Sequence, residues 1–172
     1  ASADDRNLAS VALDRIVAAR PDFAGLHMDR THLMGVLNIT PDSFSADGIN
    51  LSPAQAILKG KAMWTDGASI IDVGGESTRP GALPVTCNQE LARILPPISG
   101  LVRDNIRVSV DTRHAAVMTR ATAAGASIIN DVGGLQGEGA MTAAAASGVP
   151  VVIMHMQGTP ENMQQSPSYD FA

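Results

Sequence analysis

One short stretch decides the fold, because it occurs twice: as GASIIDVGG at residues 67–75 and as GASIINDVGG at residues 125–134. In both copies a short apolar run with β-branched residues leads into a polar residue and a glycine pair, which is typical of a buried strand ending in a tight turn. Repetition of one strand–loop–helix module builds a parallel α/β sheet, because each crossover carries a helix that covers the sheet. The repeat therefore predicts the α/β class.

Three further apolar segments bring the number of predicted strands to five. They lie at residues 33–40, 106–112 and 149–156. Helices are expected between the strands, one after the Ser52–Pro53 cap and one that is capped by Asn88 and interrupted at Pro96–Pro97. Five such units fit an open doubly wound sheet or part of an eight-stranded barrel. No Gly-x-Gly-x-x-Gly follows the first strand, which disfavours the dinucleotide-binding form of the open sheet.

Composition and charge narrow the class of protein. Of the 172 residues, 45% are hydrophobic, enough for a substantial core, and the net charge of -5 argues against general nucleic-acid binding. The single cysteine, Cys87, cannot form an internal disulfide, which fits a reducing compartment. Residues 1–30 lack the pattern of a secretory signal, and the apolar segment at residues 140–156 is too interrupted to span a membrane. The sequence predicts a soluble, cytoplasmic protein.

Polar side chains follow all five predicted strands at their carboxyl ends, where parallel α/β folds bind ligands. The set comprises Asn38, Asp72, Asp111, Asn130 with Asp131, and His155, together with Thr78 and Arg79 in the loop beyond Asp72. One such residue often only satisfies loop backbone groups. Five strands that end in this way indicate a ligand site.

The residue types indicate the character of the ligand. Asp111 and Asn130 offer an acceptor and an amide that donates and accepts, which suits a flat heterocycle with an amino-amide edge. Asn38 supplies an oxygen for a hard cation such as Mg²⁺. Thr78 and Arg79 supply donors to an anion such as phosphate.

Four blocks of sequence resemble the dihydropteroate synthase family of the folate pathway. They are MGVLNITPDSF at residues 34–44, DVGGESTRPG at residues 72–81, Ser109–Thr112 with Ile129–Asp131, and MHMQG at residues 154–158. The resemblance runs from about Leu33 to the end. It implies that residues 31–172 supply about the first five units of a (β/α)8 barrel, preceded by a helical extension over residues 1–30. It also implies a transferase that joins p-aminobenzoate to 7,8-dihydropterin pyrophosphate and releases pyrophosphate, with Mg²⁺ as cofactor.

The resemblance assigns roles to individual residues. By position, Asp111 and Asn130 match residues that hold the pterin, and Asn38 matches the residue near Mg²⁺ and pyrophosphate. Thr78 and Arg79 match residues that meet p-aminobenzoate and pyrophosphate. Asp111, Arg79 and Asn38 are therefore expected to serve the chemistry, with Asn38 at the metal. Further substrate contacts are expected from Asp72, from Val132 and Met154 as pocket walls, and from Ser43 and Phe44 on the first loop.

Family members are longer than this chain, with three further strands that carry another aspartate, a lysine and an Arg-x-His. None of these blocks occurs here. Either the chain is a fragment of a longer protein or another chain completes it, and in both cases we expect the isolated chain to have a partial site and little or no synthase activity. For the complete protein, the resemblance implies a homodimer and a target of sulfonamides.

Three alternatives stay open. A pterin-binding methyltransferase that serves a corrinoid would share the pterin-holding Asp and Asn, although the NITPDSF and ESTRPG loops favour pyrophosphate chemistry. A non-catalytic half-barrel would bind pterin weakly without forming product, or would serve as an assembly partner. A phosphate-binding barrel of another reaction type is the weakest of the three, because barrels commonly bind phosphate after strands seven and eight.

Overall fold

The computed structural model describes residues 3–40, 52–77, 84–158 and 168, and the chain divides into two compact units, residues 1–31 and 32–172. In the first unit, helix α1 spans Ala3–Val17, and an antiparallel bridge joins Phe23 to Leu26. In the described part of the chain, no helix is long and apolar enough to cross a membrane.

The second unit alternates strands and helices. Its elements are β1 Met34–Asn38, α2 Pro53–Thr65, β2 Ile70–Gly74, α3 Cys87–Arg103, β3 Val108–Asp111, α4 Ala115–Ala123, β4 Ile128–Asp131, α5 Ala140–Ser147 and β5 Val151–Ile153. All strand pairs are parallel, and the strands lie in sequential order from β1 to β5. A doubly wound sheet reverses its strand order at a switch point, whereas a barrel does not. The predicted fold class, an α/β barrel represented by five units, is confirmed.

One face of the sheet packs against the helices and forms the hydrophobic core. Its strand residues are Leu37, Ile71, Val73, Val108, Val110 and Ile129, all buried. Helices α2, α3 and α4 contribute Ala56, Ile94, Ile98, Leu101, Val117 and Met118 to the same cluster. Burial of each of the larger side chains stabilises the fold by about 1.5–3 kcal/mol. This packing holds the ends of the strands in place.

The opposite face of the sheet is called the inner face here. Because side chains alternate along a strand and paired residues share a face, it comprises Met34, Val36, Asn38, Ile70, Asp72, Gly74, Ser109, Asp111, Ile128, Asn130 and Val152. Unlike the helix-facing side, it carries polar side chains toward the carboxyl ends of the strands. The sheet thus separates the helix-packed core from a face that is polar at its carboxyl end.

The structure corrects the predicted start of helix α3. The N-cap is Thr86, not Asn88: the Thr86 hydroxyl accepts from the Gln89 amide, and Gln89 Oε1 accepts from the Thr86 amide. This reciprocal pair is a capping box, which satisfies two backbone donors at once. Asn88 has no glutamine or glutamate three residues later, so it cannot form the same arrangement.

The predicted interruption of helix α3 is also wrong, because the helix continues through Pro96 and Pro97 to Arg103. A proline inside a helix costs about 3 kcal/mol through a lost hydrogen bond and a steric clash. Ile94, Ile98 and Leu101 are fully buried on the same helix, and their burial offsets that cost.

Strand β5 spans Val151–Ile153, so the predicted strand over residues 149–156 is too long, chiefly at its carboxyl end. The neighbouring strand β4 explains why β5 is short. The Met154 amide still donates to the Asp131 carbonyl, but beyond Asp131 strand β4 turns, with the amides of Gly133 and Leu135 bound to the Asp131 carboxylate. Strand β4 therefore leaves the ladder at Asp131, and β5 ends with it.

Candidate functional site

Three polar side chains predicted for the site lie in one layer of the inner face. Register pairs Asn38 with Gly74, Gly74 with Asp111, and Asp111 with Asn130. The four residues therefore come from four neighbouring strands at one height near their carboxyl ends. Burial of the alternate apolar residues on the helix side forces these side chains toward the inner face.

Gly74 leaves room for oxygen atoms to converge within this layer. A Cβ at Gly74 would lie 3.2 Å from Asn38 Oδ1 and 3.3 Å from Asp111 Oδ2. Any side chain here would therefore crowd both groups. The glycine keeps an oxygen-lined recess between β1 and β3.

Asp72 lies behind this layer and contacts Asn130. It is 4% exposed, and its Oδ2 accepts a hydrogen bond of 2.9 Å from Asn130 Nδ2. Its other oxygen, Oδ1, and the neighbouring Ser109 Oγ are buried without a partner that meets hydrogen-bond geometry. A buried polar atom without a hydrogen bond lowers the stability of the fold. The presence of Asp72 at this position therefore needs a reason other than stability.

Burial and neighbouring charge make Asp111 an unusual acid. Burial raises the pKa of Asp111 to about 7, with further contributions from the negative charges of Asp72, Glu90, Asp131 and Glu76. Burial also raises the pKa of Asp72, while interactions with Ser109 and Asn130 lower it in part. Near neutral pH, Asp111 is therefore poised between accepting and donating a hydrogen bond.

Glu76, which sequence reasoning did not single out, fixes the chain that follows β2. Arg113 binds it at both oxygens, with distances of 2.8 Å from Nε to Oε2 and 2.9 Å from Nη2 to Oε1. The Val85 amide donates to Oε1 as well, at 3.1 Å. One carboxylate thus ties residues on both sides of segment 78–83 to the end of β3.

The hydrogen bonds to Glu76 also determine its charge. Burial alone would raise the pKa of Glu76, but the hydrogen bonds from Arg113 and the Val85 amide outweigh burial and lower that pKa below its usual value. Glu76 therefore stays ionised at neutral pH. An acidic residue in the ESTRPG block and a basic one after Asp111-Thr112 were the sequence signals available, but nothing in the sequence paired them.

A second layer of polar contacts packs helix α3 against the end of β2. Glu90 is fully buried, and its Oε2 lies 2.6 Å from His114 Nδ1, while Arg93 donates to the Gly75 carbonyl at 2.7 Å. A Cβ at Gly75 would lie 2.8 Å from Ile94 Cγ2 and 3.0 Å from Glu90 Cγ. Gly75 is therefore required for this close approach of helix and strand.

Asp131 shapes the loop after β4. Its side chain is fully buried and accepts hydrogen bonds from the amides of Gly133 and Leu135, at 2.7 and 2.9 Å. This carboxylate holds a turn, which is the structural role that a lone Asp often has. The turn carries Val132, and Met154 lies beside it, just beyond β5 with 36% exposure.

Four predicted site residues, Ser43, Phe44, Thr78 and Arg79, lie outside the described residues. Their predicted contacts stay predictions. Among the residues that the structure describes, no group of three or more His, Cys, Asp or Glu side chains could hold a metal ion. Asn38 as a Mg²⁺ ligand also stays a prediction.

The chain is similar in sequence to proteins of a known family. Residues 34–171 match the family model described as pterin binding enzyme. The dihydropteroate synthase of Escherichia coli K12 is 47% identical over 146 residues, which are 84% of this chain and 52% of that protein. The chain thus spans about half the length of this curated relative.

Solved structures agree. A Yersinia pestis dihydropteroate synthase in complex with a sulfonamide drug matches with a TM-score of 0.79 and 48% identity, covering 87% of this chain and 56% of that one. A Xanthomonas albilineans dihydropteroate synthase with 4-aminobenzoic acid matches with a TM-score of 0.75 and 44% identity, covering 89% and 55%. The chain belongs to the family of pterin binding enzymes.

Proposed function

We propose that this chain supplies the pterin-binding part of a dihydropteroate synthase. The reaction condenses p-aminobenzoate with (7,8-dihydropterin-6-yl)methyl pyrophosphate to give 7,8-dihydropteroate and pyrophosphate. The observation that carries the proposal is the pairing of Asp111 with Asn130 on the inner face, in a chain 47% identical to a dihydropteroate synthase.

Asp111 and Asn130 are proposed to bind the pterin ring by its polar edge. The ionised carboxylate and the amide oxygen accept hydrogen bonds from ring N–H groups. When pyrophosphate departs, positive charge develops on the pterin methylene, and the Asp111 carboxylate stabilises that charge. Binding of a ring that carries N–H donors favours ionised Asp111, which offsets the effect of burial on its pKa.

Asn38 and Arg79 are proposed to serve the leaving group. Asn38 Oδ1 and Asp111 Oδ2 border the recess at Gly74, and such an oxygen pair fits a hard cation that completes its shell with water and pyrophosphate. Mg²⁺, when bound, neutralises charge on the pyrophosphate. Arg79 would donate hydrogen bonds to the departing pyrophosphate and offset part of its negative charge.

The remaining predicted residues are proposed to contact p-aminobenzoate and to enclose the site. Thr78, Ser43 and Phe44 belong to loops that would exclude water, whose attack would waste the cationic intermediate. Val132 and Met154 would form apolar walls beside the ring. Because a sulfonamide is bound in the Yersinia pestis relative, we propose that sulfonamides compete with p-aminobenzoate here too.

For the complete protein we propose a cytoplasmic homodimer. The support is the family and, for the compartment, the free thiol of Cys87. Sedimentation analysis of the complete protein tests the dimer: a species of twice the chain mass supports it, and a monomer at micromolar concentration contradicts it.

A second candidate, pterin binding without catalysis, applies to the isolated 172-residue chain. Val36 and Val152 on the inner face are 54% and 36% exposed. Among the described residues, β1 and β5 each pair with a single strand. Water therefore has access to the inner face from both of its edges, which favours binding over turnover.

Pyrophosphate release in the presence of pterin pyrophosphate, p-aminobenzoate and Mg²⁺ tests the proposal. The complete protein should turn over and its Asp111→Asn variant should lose at least about 100-fold in kcat/KM. The isolated chain should bind pterin with little turnover. Ordinary turnover by the isolated chain would contradict the second candidate, and no turnover by the complete protein would contradict the first.

A further inference from the structure

We propose that Asp72 is a positioning residue that fixes the orientation of the Asn130 amide and thereby sets which ligand edge the site accepts. Only the identity of the ligand rests on the proposed function. The orientation itself follows from the contacts of Asp72, which is buried, as Glu90 and Asp131 are, in the part of the chain that the structure describes.

The contact between Asp72 and Asn130 crosses a whole strand. Asp72 belongs to β2 and Asn130 to β4, while β3 lies between them. The inner-face residues of β3 at this point are Ser109 and Asp111. Because Ser109 is small and Gly74 has no side chain, the inner face leaves space for the 2.9 Å bond between Asp72 Oδ2 and Asn130 Nδ2.

This contact permits only one orientation of the amide. An ionised carboxylate accepts hydrogen bonds and cannot donate them. The amide nitrogen of Asn130 must therefore face Asp72, and the amide oxygen must face away from it. One N–H and the oxygen of Asn130 stay available to a ligand.

With the amide in this orientation, the site presents hydrogen-bond acceptors to a ligand. Asp111 pairs directly with Asn130 in the sheet register, so its carboxylate and the Asn130 oxygen present acceptors on adjacent strands. A ring with neighbouring N–H donors, such as a 2-amino-4-oxopyrimidine edge, satisfies both. A ring that lacks the amino group leaves a buried acceptor unpaired, and a site built for a polar group rejects ligands without it.

Stability does not account for Asp72. No partner of its Oδ1 meets hydrogen-bond geometry, although the neighbouring Ser109 lowers the pKa of Asp72 in part, and the negative charge of Asp72 acts against that of Asp111. A neutral residue of the same shape would remove the repulsion and the cost of a buried charge. Substitution by asparagine is therefore expected to change stability and ligand selectivity in opposite directions, which a purely structural role would not do.

Binding of two ring compounds by the 172-residue chain tests the inference. The probes are 6-hydroxymethylpterin and its counterpart without the 2-amino group, and the variant is Asp72→Asn. The unmodified chain should prefer the amino compound by about tenfold or more, and the variant by less than about threefold, with an equal or higher midpoint of thermal unfolding. Ser109→Ala, which removes the other polar neighbour of Asp72, should keep the preference.

A second measurement does not depend on pterin binding. The side-chain amide of Asn130, assigned by its loss in Asn130→Asp, should exchange its protons slowly in the unmodified chain. In Asp72→Asn its signals should shift and exchange about tenfold faster, and in Ser109→Ala they should stay. If the unmodified chain binds neither probe, the proposed function fails for this chain, and the amide signals still decide the orientation.

Either of two results would overturn the inference. One is an Asp72→Asn variant with unchanged selectivity and unchanged Asn130 signals. The other is an Asp72→Asn variant that loses stability together with binding of both probes, because that result would make Asp72 a structural residue.

Discussion

The raised pKa of Asp111 links the charge of the site to the stability of the fold. Its folded-state pKa of about 7 exceeds the ordinary value of 3.8, so the folded chain keeps a proton that the unfolded chain releases. The stabilisation from this proton is complete below about pH 4 and is lost as pH rises toward 7. At neutral pH, Asp111 therefore contributes less to stability than it does at pH 4.

This shift predicts a pH dependence of stability. The free energy of unfolding should fall between about pH 4 and pH 7 by roughly 1.4 kcal/mol for each unit of pKa shift, shared with Asp72 because the two charges interact. Asp111→Asn should flatten this slope, whereas Asp66→Asn, at an exposed helix end, should not. Urea unfolding at several pH values measures it, and equal slopes in all three proteins would contradict the shift.

Gly75 offers a test of packing at one residue. Gly75→Ala should destabilise by about 1–3 kcal/mol, because the added carbon would lie 2.8 Å from Ile94 Cγ2 and 3.0 Å from Glu90 Cγ. Gly35→Ala is the matched control, since its closest contact is the flexible Met63 Sδ at 3.1 Å. Denaturant midpoints compare the two variants, and an equal loss in both would contradict the argument.

At the scale of elements, helix α3 keeps two prolines that its own sequence disfavours. Pro96 is exposed and Pro97 is buried. Pro96→Ala should therefore stabilise by about 1 kcal/mol, because a helix hydrogen bond is regained and no packing is lost. Pro97→Ala should gain less, since it also removes buried carbon atoms. Thermal unfolding measures both, and a greater gain at Pro97 would contradict this account.

The Glu76–Arg113 pair joins elements that are far apart in sequence. Glu76→Gln should weaken the double contact with Arg113 by about 1–2 kcal/mol and raise the exchange rate of the Val85 amide about tenfold. Lys61→Met, which breaks the exposed Lys61–Asp104 pair, should leave Val85 unchanged. Hydrogen exchange detected by NMR gives both rates. The same Val85 rate in both variants would argue against a role for Glu76 in holding the loop ends together.

At the scale of the whole molecule, the sequence predicted the strands because they are local apolar runs with a repeated module. It also predicted which side chains follow them, since the carboxyl ends of parallel strands share one edge. The start of α3 could have been predicted, because Thr86 and Gln89 form a capping-box pattern that Asn88 lacks. The continuity of α3 through its prolines could not have been predicted from local sequence, because it depends on burial in the tertiary core.

The hydrogen bonds that hold the site residues could not be predicted from local sequence patterns. Asn130 bonds to Asp72 across 58 residues, and Arg113 bonds to Glu76 across 37. Neither spacing has a periodic signature, so only the sheet order reveals these pairs. The sequence therefore indicated which polar side chains lie together at the carboxyl ends of the strands, but not how those side chains are held.

A crystal structure of the chain with 6-hydroxymethylpterin would show whether the inner face binds pterin. We predict that the ring lies on the inner face, with its N–H edge against the Asp111 carboxylate and the Asn130 amide oxygen at the ends of β3 and β4. A pterin bound elsewhere, or an empty inner face at saturating pterin, would contradict it.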